Sequence, residues 1–135
     1  MNIPEVEENA PEARMVKTHG LTHIALKVRD PERSLRFYEQ LFGVREYFRD
    51  AEGIQALGPG SHDVLAFHLD PTGAGASGGI AHFGFRLTNP ADLELAVREA
   101  ERAGGKLLRR GEFSPGYPFA YVEDPDGYEL EIWFE

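Results

Sequence analysis

Residues 123–135 read Glu123-Asp124-Pro125-Asp126-Gly127-Tyr128-Glu129-Leu130-Glu131-Ile132-Trp133-Phe134-Glu135, and the rest of the chain is organised around them. Asp-Pro followed by Asp-Gly is turn chemistry, because Pro fixes φ at one central position and Gly accepts the positive φ that strains other residues. The alternation that follows predicts a strand. Tyr128, Leu130, Ile132 and Phe134 share one side, and Glu129, Glu131, Trp133 and Glu135 share the other. One face is core and the other acidic, which is bland if that face meets water and chemically loaded if it lines a cup.

Upstream the chain shows the same strand-and-turn grammar. His23-Ile24-Ala25-Leu26-Lys27-Val28 alternates as a strand, with Ile24, Leu26 and Val28 on the core side. Asp30-Pro31 supplies an N-cap and a first-turn proline to an amphipathic helix that runs through Leu35, Phe37, Tyr38, Leu41 and Phe42 and stops at Gly43. Short strands are predicted at 44–49, 54–57 and 63–70, and a small, flexible linker occupies 72–78. The pattern then restarts. Residues 80–87 alternate as a strand, Asn89-Pro90 opens a second helix ending at Gly104-Gly105, and strands follow at 106–112, 118–123 and 128–134. His23 and His82, and likewise Pro31 and Pro90, lie 59 residues apart, the mark of an internal repeat.

These elements predict an α+β fold of two tandem units of strand, helix and three strands. The units set side by side form a curved, open, mostly antiparallel sheet with the helices on its convex side. Module one is 21–71, module two is 79–135, and the single domain is 19–135, preceded by a flexible tail over residues 1–18. At 135 residues with 41% hydrophobic content, the chain is long enough to bury one core without staples. It contains no cysteine, which excludes disulfides, thiolate metal sites and a cysteine nucleophile and fits a cytoplasmic location. No stretch has the length and apolarity of a membrane span, and a formal net charge of −9 argues against nucleic acid or an anionic membrane as partner. The natural ligands of so acidic a protein are metals and neutral or cationic small molecules.

His23 and His82 occupy equivalent places on equivalent strands, and Glu131 shares their orientation on the last strand. Two imidazoles and a carboxylate meeting in a cup form a facial set for a divalent ion, with positions left for water or substrate. Taken singly, a strand histidine or glutamate is ordinarily solvated or hydrogen-bonded. His68 shares the inward face as a further ligand, a general base or a polar rim residue. Tyr121 is there to orient or protonate substrate, or simply to pack against Phe119. Arg86 holds a substrate carboxylate or a surface ion pair, and Tyr117 sits in a loop that closes over the site or merely joins a hairpin.

The chain resembles the vicinal oxygen chelate superfamily, which contains glyoxalase I, extradiol dioxygenases, fosfomycin-resistance thiol transferases, methylmalonyl-CoA epimerase and bleomycin-binding proteins. The resemblance runs from Leu21 to Glu135 and rests on His23-Ile24-Ala25-Leu26, on Asp30-Pro31 leading to Phe37-Tyr38, and on Asp124-Pro125-Asp126-Gly127-Tyr128 ending in Leu130-Glu131. It implies paired βαβββ modules and one divalent ion (Fe, Mn, Ni, Zn or Mg) held by His23, His82 and Glu131. It also implies a homodimer whose chains often complete each other's sites. The expected activity is Lewis-acid chemistry on neighbouring oxygens of a small substrate, of extradiol-dioxygenase or lyase and isomerase type. The alternatives are a thiol transferase of the fosfomycin-resistance type and a non-catalytic drug-binding protein of the bleomycin type. One departure matters: where glyoxalase I carries a fourth ligand, this chain aligns Ala66, which cannot bind metal. The chain also ends four residues after Glu131 with no basic side chain to take a phosphonate.

Overall fold

The computed structural model describes residues 16–60 and 62–135, so most of the expected tail lies outside the described residues. The first module consists of β1 (His23–Val28), α1 (Pro31–Phe42), β2 (Arg45–Asp50), β3 (Gly53–Leu57) and β4 (Val64–Leu69). The second repeats the plan with β5 (Phe83–Arg86), a 3-10 turn at Pro90–Asp92, α2 (Leu93–Arg102), β6 (Lys106–Glu112), β7 (Pro118–Glu123) and β8 (Glu129–Trp133). Each module forms its own open four-stranded sheet, ordered β1-β4-β3-β2 and β5-β8-β7-β6. The pairs β1/β4 and β5/β8 are parallel and the other pairings antiparallel. Even the irregularities repeat, with a bulge between Glu46 and Phe48 in β2 and another between Leu107 and Arg109 in β6.

Local chemistry sets the bounds of α1. The Asp30 carboxylate accepts from the backbone N–H groups of Glu32 at 3.1 Å and Arg33 at 3.2 Å, a cap that contributes about 1 kcal/mol. Gly43 closes the helix at φ 72°, and its N–H donates to the Glu39 carbonyl at 2.9 Å. The start of β5 differs from the expected 80–87. Because β8 begins only at Glu129, the ladder opens with Phe83 opposite Leu130, and Ile80, Ala81 and His82 precede the strand. The second helix also opens one turn later than its Asn-Pro entry suggests, since the Asn89 carboxamide caps the 3-10 turn and α2 starts at Leu93.

One core serves both modules. Leu26, Val28, Phe37, Tyr38 and Phe67 from the first join Val97, Ala100, Val122, Leu130 and Ile132 from the second, and α1 touches α2. Phe85 on β5 stacks on Phe42 of α1 at 3.9 Å between ring centroids, so the seam itself is apolar. Since strand side chains alternate, turning both apolar faces to a common core turns both polar faces away from it.

The Asp124–Gly127 turn joins the modules, a role beyond its turn chemistry. Asp126, 7% exposed, accepts from the Arg29 backbone N–H at 3.0 Å, Arg33 Nη2 at 3.1 Å and Ser34 Oγ at 3.3 Å. Asp124 accepts from Tyr38 Oη at 2.8 Å and from the backbone N–H groups of Asp126 and Tyr128. Tyr128 Oη donates to the Lys27 carbonyl at 2.7 Å. Gly127, at φ 95°, permits the reversal that places both carboxylates. Burial, with Asp124 beside it, pushes the Tyr38 phenol well above its ordinary pKa; burial likewise raises the Asp124 carboxyl despite the hydrogen bonds it accepts. Among the described residues, no helix is long and apolar enough to cross a membrane.

Candidate metal centre

The outer face of the second sheet can be read row by row from its register. One row runs Gly84, Glu131, Tyr121 and Arg109 across β5, β8, β7 and β6, and the next runs Arg86, Trp133, Phe119 and Gly111. His82, one residue ahead of β5, brings Nε2 to 3.6 Å from Glu131 Oε1. Tyr121 meets the His82 ring edge-on with centroids 5.0 Å apart. Partial burial and the adjacent Glu131 carboxylate raise the Tyr121 pKa above its ordinary value. Arg109 lies over the Tyr121 ring at 4.0 Å and pairs with Glu129.

The corresponding face of the first sheet has different chemistry on the same frame. Ala25 pairs with Ala66 and Ala66 with Gln55, as Gly84 pairs with Glu131 and Glu131 with Tyr121. Ala66 is therefore the structural counterpart of Glu131. His23 and His68 are both exposed on this sheet, in rows with Val64 and with Lys27.

A single chain thus brings together His82, Glu131 and Tyr121. Among the described residues, no three His, Asp or Glu side chains are grouped closely enough to hold one ion, so neither His23 nor His68 reaches the His82–Glu131 pair. This corrects the expectation that one chain's two modules present all three ligands to a common cup, and the cause is the shared core that faces the two polar surfaces away from each other. Of the other expected residues, Phe119 lies on the same face, its ring 5.7 Å from that of Tyr121. Arg86 packs over Trp133 at 5.5 Å and donates from Nε to the Glu135 carbonyl at 2.8 Å. Tyr117 belongs to a hairpin turn, with Phe113 N–H donating to its carbonyl at 2.9 Å, and its ring stacks on Phe134.

Arg109, Trp133 and Phe113 escaped the sequence-based selection. Arg109 has the parity of core-facing Leu107, and only the bulge between them turns it to the outer face. Trp133 was legible as a neighbour of Glu131 on the acidic side.

As a donor set, an imidazole nitrogen and a carboxylate oxygen at this separation suit a borderline or hard divalent ion, and among the described residues the largely buried carboxylate forms no ion pair with a lysine or arginine. The residues fit a metal as half of a site, short of a third protein ligand.

The chain is 35% identical over 122 residues to the uncharacterized protein PA2024 of Pseudomonas aeruginosa, covering 83% of this chain and 86% of that one. It is 28% identical to Metapyrocatechase of Geobacillus stearothermophilus over 85% of its own length, and it spans only 34% of that larger protein. Among solved structures, a glyoxalase-related enzyme from Fulvimarina pelagi superposes with a TM-score of 0.66 at 27% identity, covering 87% of this chain and 89% of the other. The sequence profile of one family matches residues 20–132. With nearly every element of both modules inside that match, the chain belongs to the Glyoxalase/Bleomycin resistance protein/Dioxygenase superfamily.

Proposed function

We propose that the protein is a metal-dependent enzyme whose site is completed by two copies of the chain, His82 and Glu131 coming from one and His23 from the other. The observation that carries this reading is the His82–Glu131 pair at 3.6 Å on an outward face, with the repeat-equivalent His23 on the outward face of the other sheet. Apposing the second sheet of one copy to the first sheet of its partner supplies the missing imidazole without unfolding the common core. A symmetric pair of such contacts makes two identical sites. The substrate is a small molecule presenting two neighbouring oxygens, and the activity is of the dioxygenase or lyase type found in this superfamily.

His82 and Glu131 of one copy and His23 of the other would hold the divalent ion, which would supply Lewis acidity toward substrate oxygen. The chain's own residues do the rest. Tyr121, a neutral phenol beside His82 and Glu131, is placed to hydrogen-bond and orient a substrate oxygen. Arg109 braces the Tyr121 ring from the opposite side, limiting the positions that hydroxyl can take. Glu131, at 13% side-chain exposure, is screened from bulk water, which strengthens its attraction for a cation.

The test is elemental analysis of protein purified without chelator and reconstituted with divalent ions. About one ion per chain is expected, lost in both His82→Ala and Glu131→Ala. Metal-free protein after reconstitution, or a Glu131→Ala variant that keeps its ion, contradicts the proposal.

A further inference from the structure

We infer that the molecule accepted beside His82 and Glu131 carries a flat aromatic ring, seated on a floor made by Phe113, Phe119 and Trp133. The choice of this site as the reacting centre rests on the proposed function, whereas the floor itself is a feature of the second sheet alone. Phe119 and Trp133 are paired across β7 and β8, and Phe113 reaches both, with centroids 4.8 Å from Phe119 and 6.4 Å from Trp133. Phe113 is 40% exposed in the single chain, so no other element of the same chain covers the floor there.

Two glycines on this face let the rings lie down. A Cβ on Gly111 would stand 3.0 Å from Phe119 Cζ, and one on Gly84 would stand 3.3 Å from Trp133 Nε1. Each ring therefore spreads over the neighbouring strand, where a side chain would lift it. Trp133 follows Glu131 by two residues on the same strand face, about 7 Å along the strand. A ring resting on the floor carries its substituents to the His82–Glu131 pair.

The repeat provides an internal control. On the first sheet the places of Trp133, Phe119 and Gly111 are taken by His68, Gly53 and Asp50, so no aromatic ring stands at those three points, although Phe48 is exposed in the next row beside Gln55. A cluster of three rings at these points is thus not demanded by the architecture. It suits the recognition of a planar apolar body by stacking and edge contacts.

The probes are 2,3-dihydroxynaphthalene and cis-1,2-cyclohexanediol, which share neighbouring oxygens and differ in having a flat aromatic body. Calorimetric titration of the full chain freed of divalent ion, where the greater acidity of the phenolic hydroxyls gives no chelation advantage, should give at least about tenfold tighter binding of the naphthalenediol, a margin within reach of one stacked ring. Phe113→Ala, a change at an exposed position, should remove most of that margin, and Trp133→Leu should do the same. Equal affinity for the two diols overturns the inference, as does a margin that survives both floor variants. An aromatic preference in protein that binds no metal sinks the proposed centre and keeps the floor. Stoichiometric metal without the preference does the reverse.

Discussion

The outer faces of the two sheets have the same strand order, the same register and repeat-related bulges, yet they differ in almost every side chain. The first shows His23, Ala66, Gln55 and His68, and the second shows His82, Glu131, Tyr121 and Trp133 at the matching points. Backbone geometry is shared, so the chemistry lies in which side chains one copy of the repeat carries and the other lacks. The connecting turns differ in the same sense. In the first module Gly58 N–H closes back on the Asp63 carbonyl at 2.9 Å, whereas the Asp124–Gly127 turn reaches across to β1 and α1. The second module therefore carries both the candidate His82–Glu131 pair and the clasp between modules, and the first carries the helix that the clasp grips.

The largest effect expected from breaking this asymmetry is on stability. Asp126→Ala strips partners from Arg33, Ser34 and the Arg29 N–H at once and should lower unfolding free energy by about 3 kcal/mol in urea titrations. Pro59→Ala in the first module's turn should cost under about 0.5 kcal/mol. On the faces, Glu131→Ala should weaken divalent-ion affinity at least about a hundredfold, some 2.7 kcal/mol, while His68→Ala changes it less than about twofold in the same competition assay. The smallest effect concerns Tyr38. Tyr38→Phe should cost about 1–2 kcal/mol at neutral pH by leaving Asp124 Oδ2 without its donor. Because the folded state raises the Tyr38 pKa, wild-type stability from this group is full below about pH 10 and is lost as pH climbs toward the folded value. The slope approaches about 1.4 kcal/mol per pH unit, and unfolding curves of Tyr38→Phe should lack that increment.

What was legible in the sequence tracks how local the cause is. The ends of α1 follow from Asp30, Pro31 and Gly43, whose effects act within one turn, and they fall where the sequence places them. The bounds of β6 and β7 were equally plain. The start of β5 was not, because it depends on where β8, some fifty residues later, begins to offer partners. The Asp124-Pro125-Asp126-Gly127 turn was recognisable, but its carboxylates reach residues 86 to 97 positions away, and no spacing within the turn reveals that. His82, Glu131 and Tyr121 were found as neighbours because strand alternation places them on one face. Whether His23 joins them depends on how two modules share a core, and that is a property of packing.

A metal site divided between two copies is one that mixing two defective variants can restore. His23→Ala and Glu131→Ala homodimers should each be metal-poor. Unfolded together and refolded at equal ratio, half of the dimers formed should be mixed, each with one intact site, restoring about a quarter of the wild-type metal content per chain. No recovery in a mixture shown by sedimentation to contain mixed dimers would rule out a site shared between copies, because a site built within one chain cannot be rescued by its neighbour.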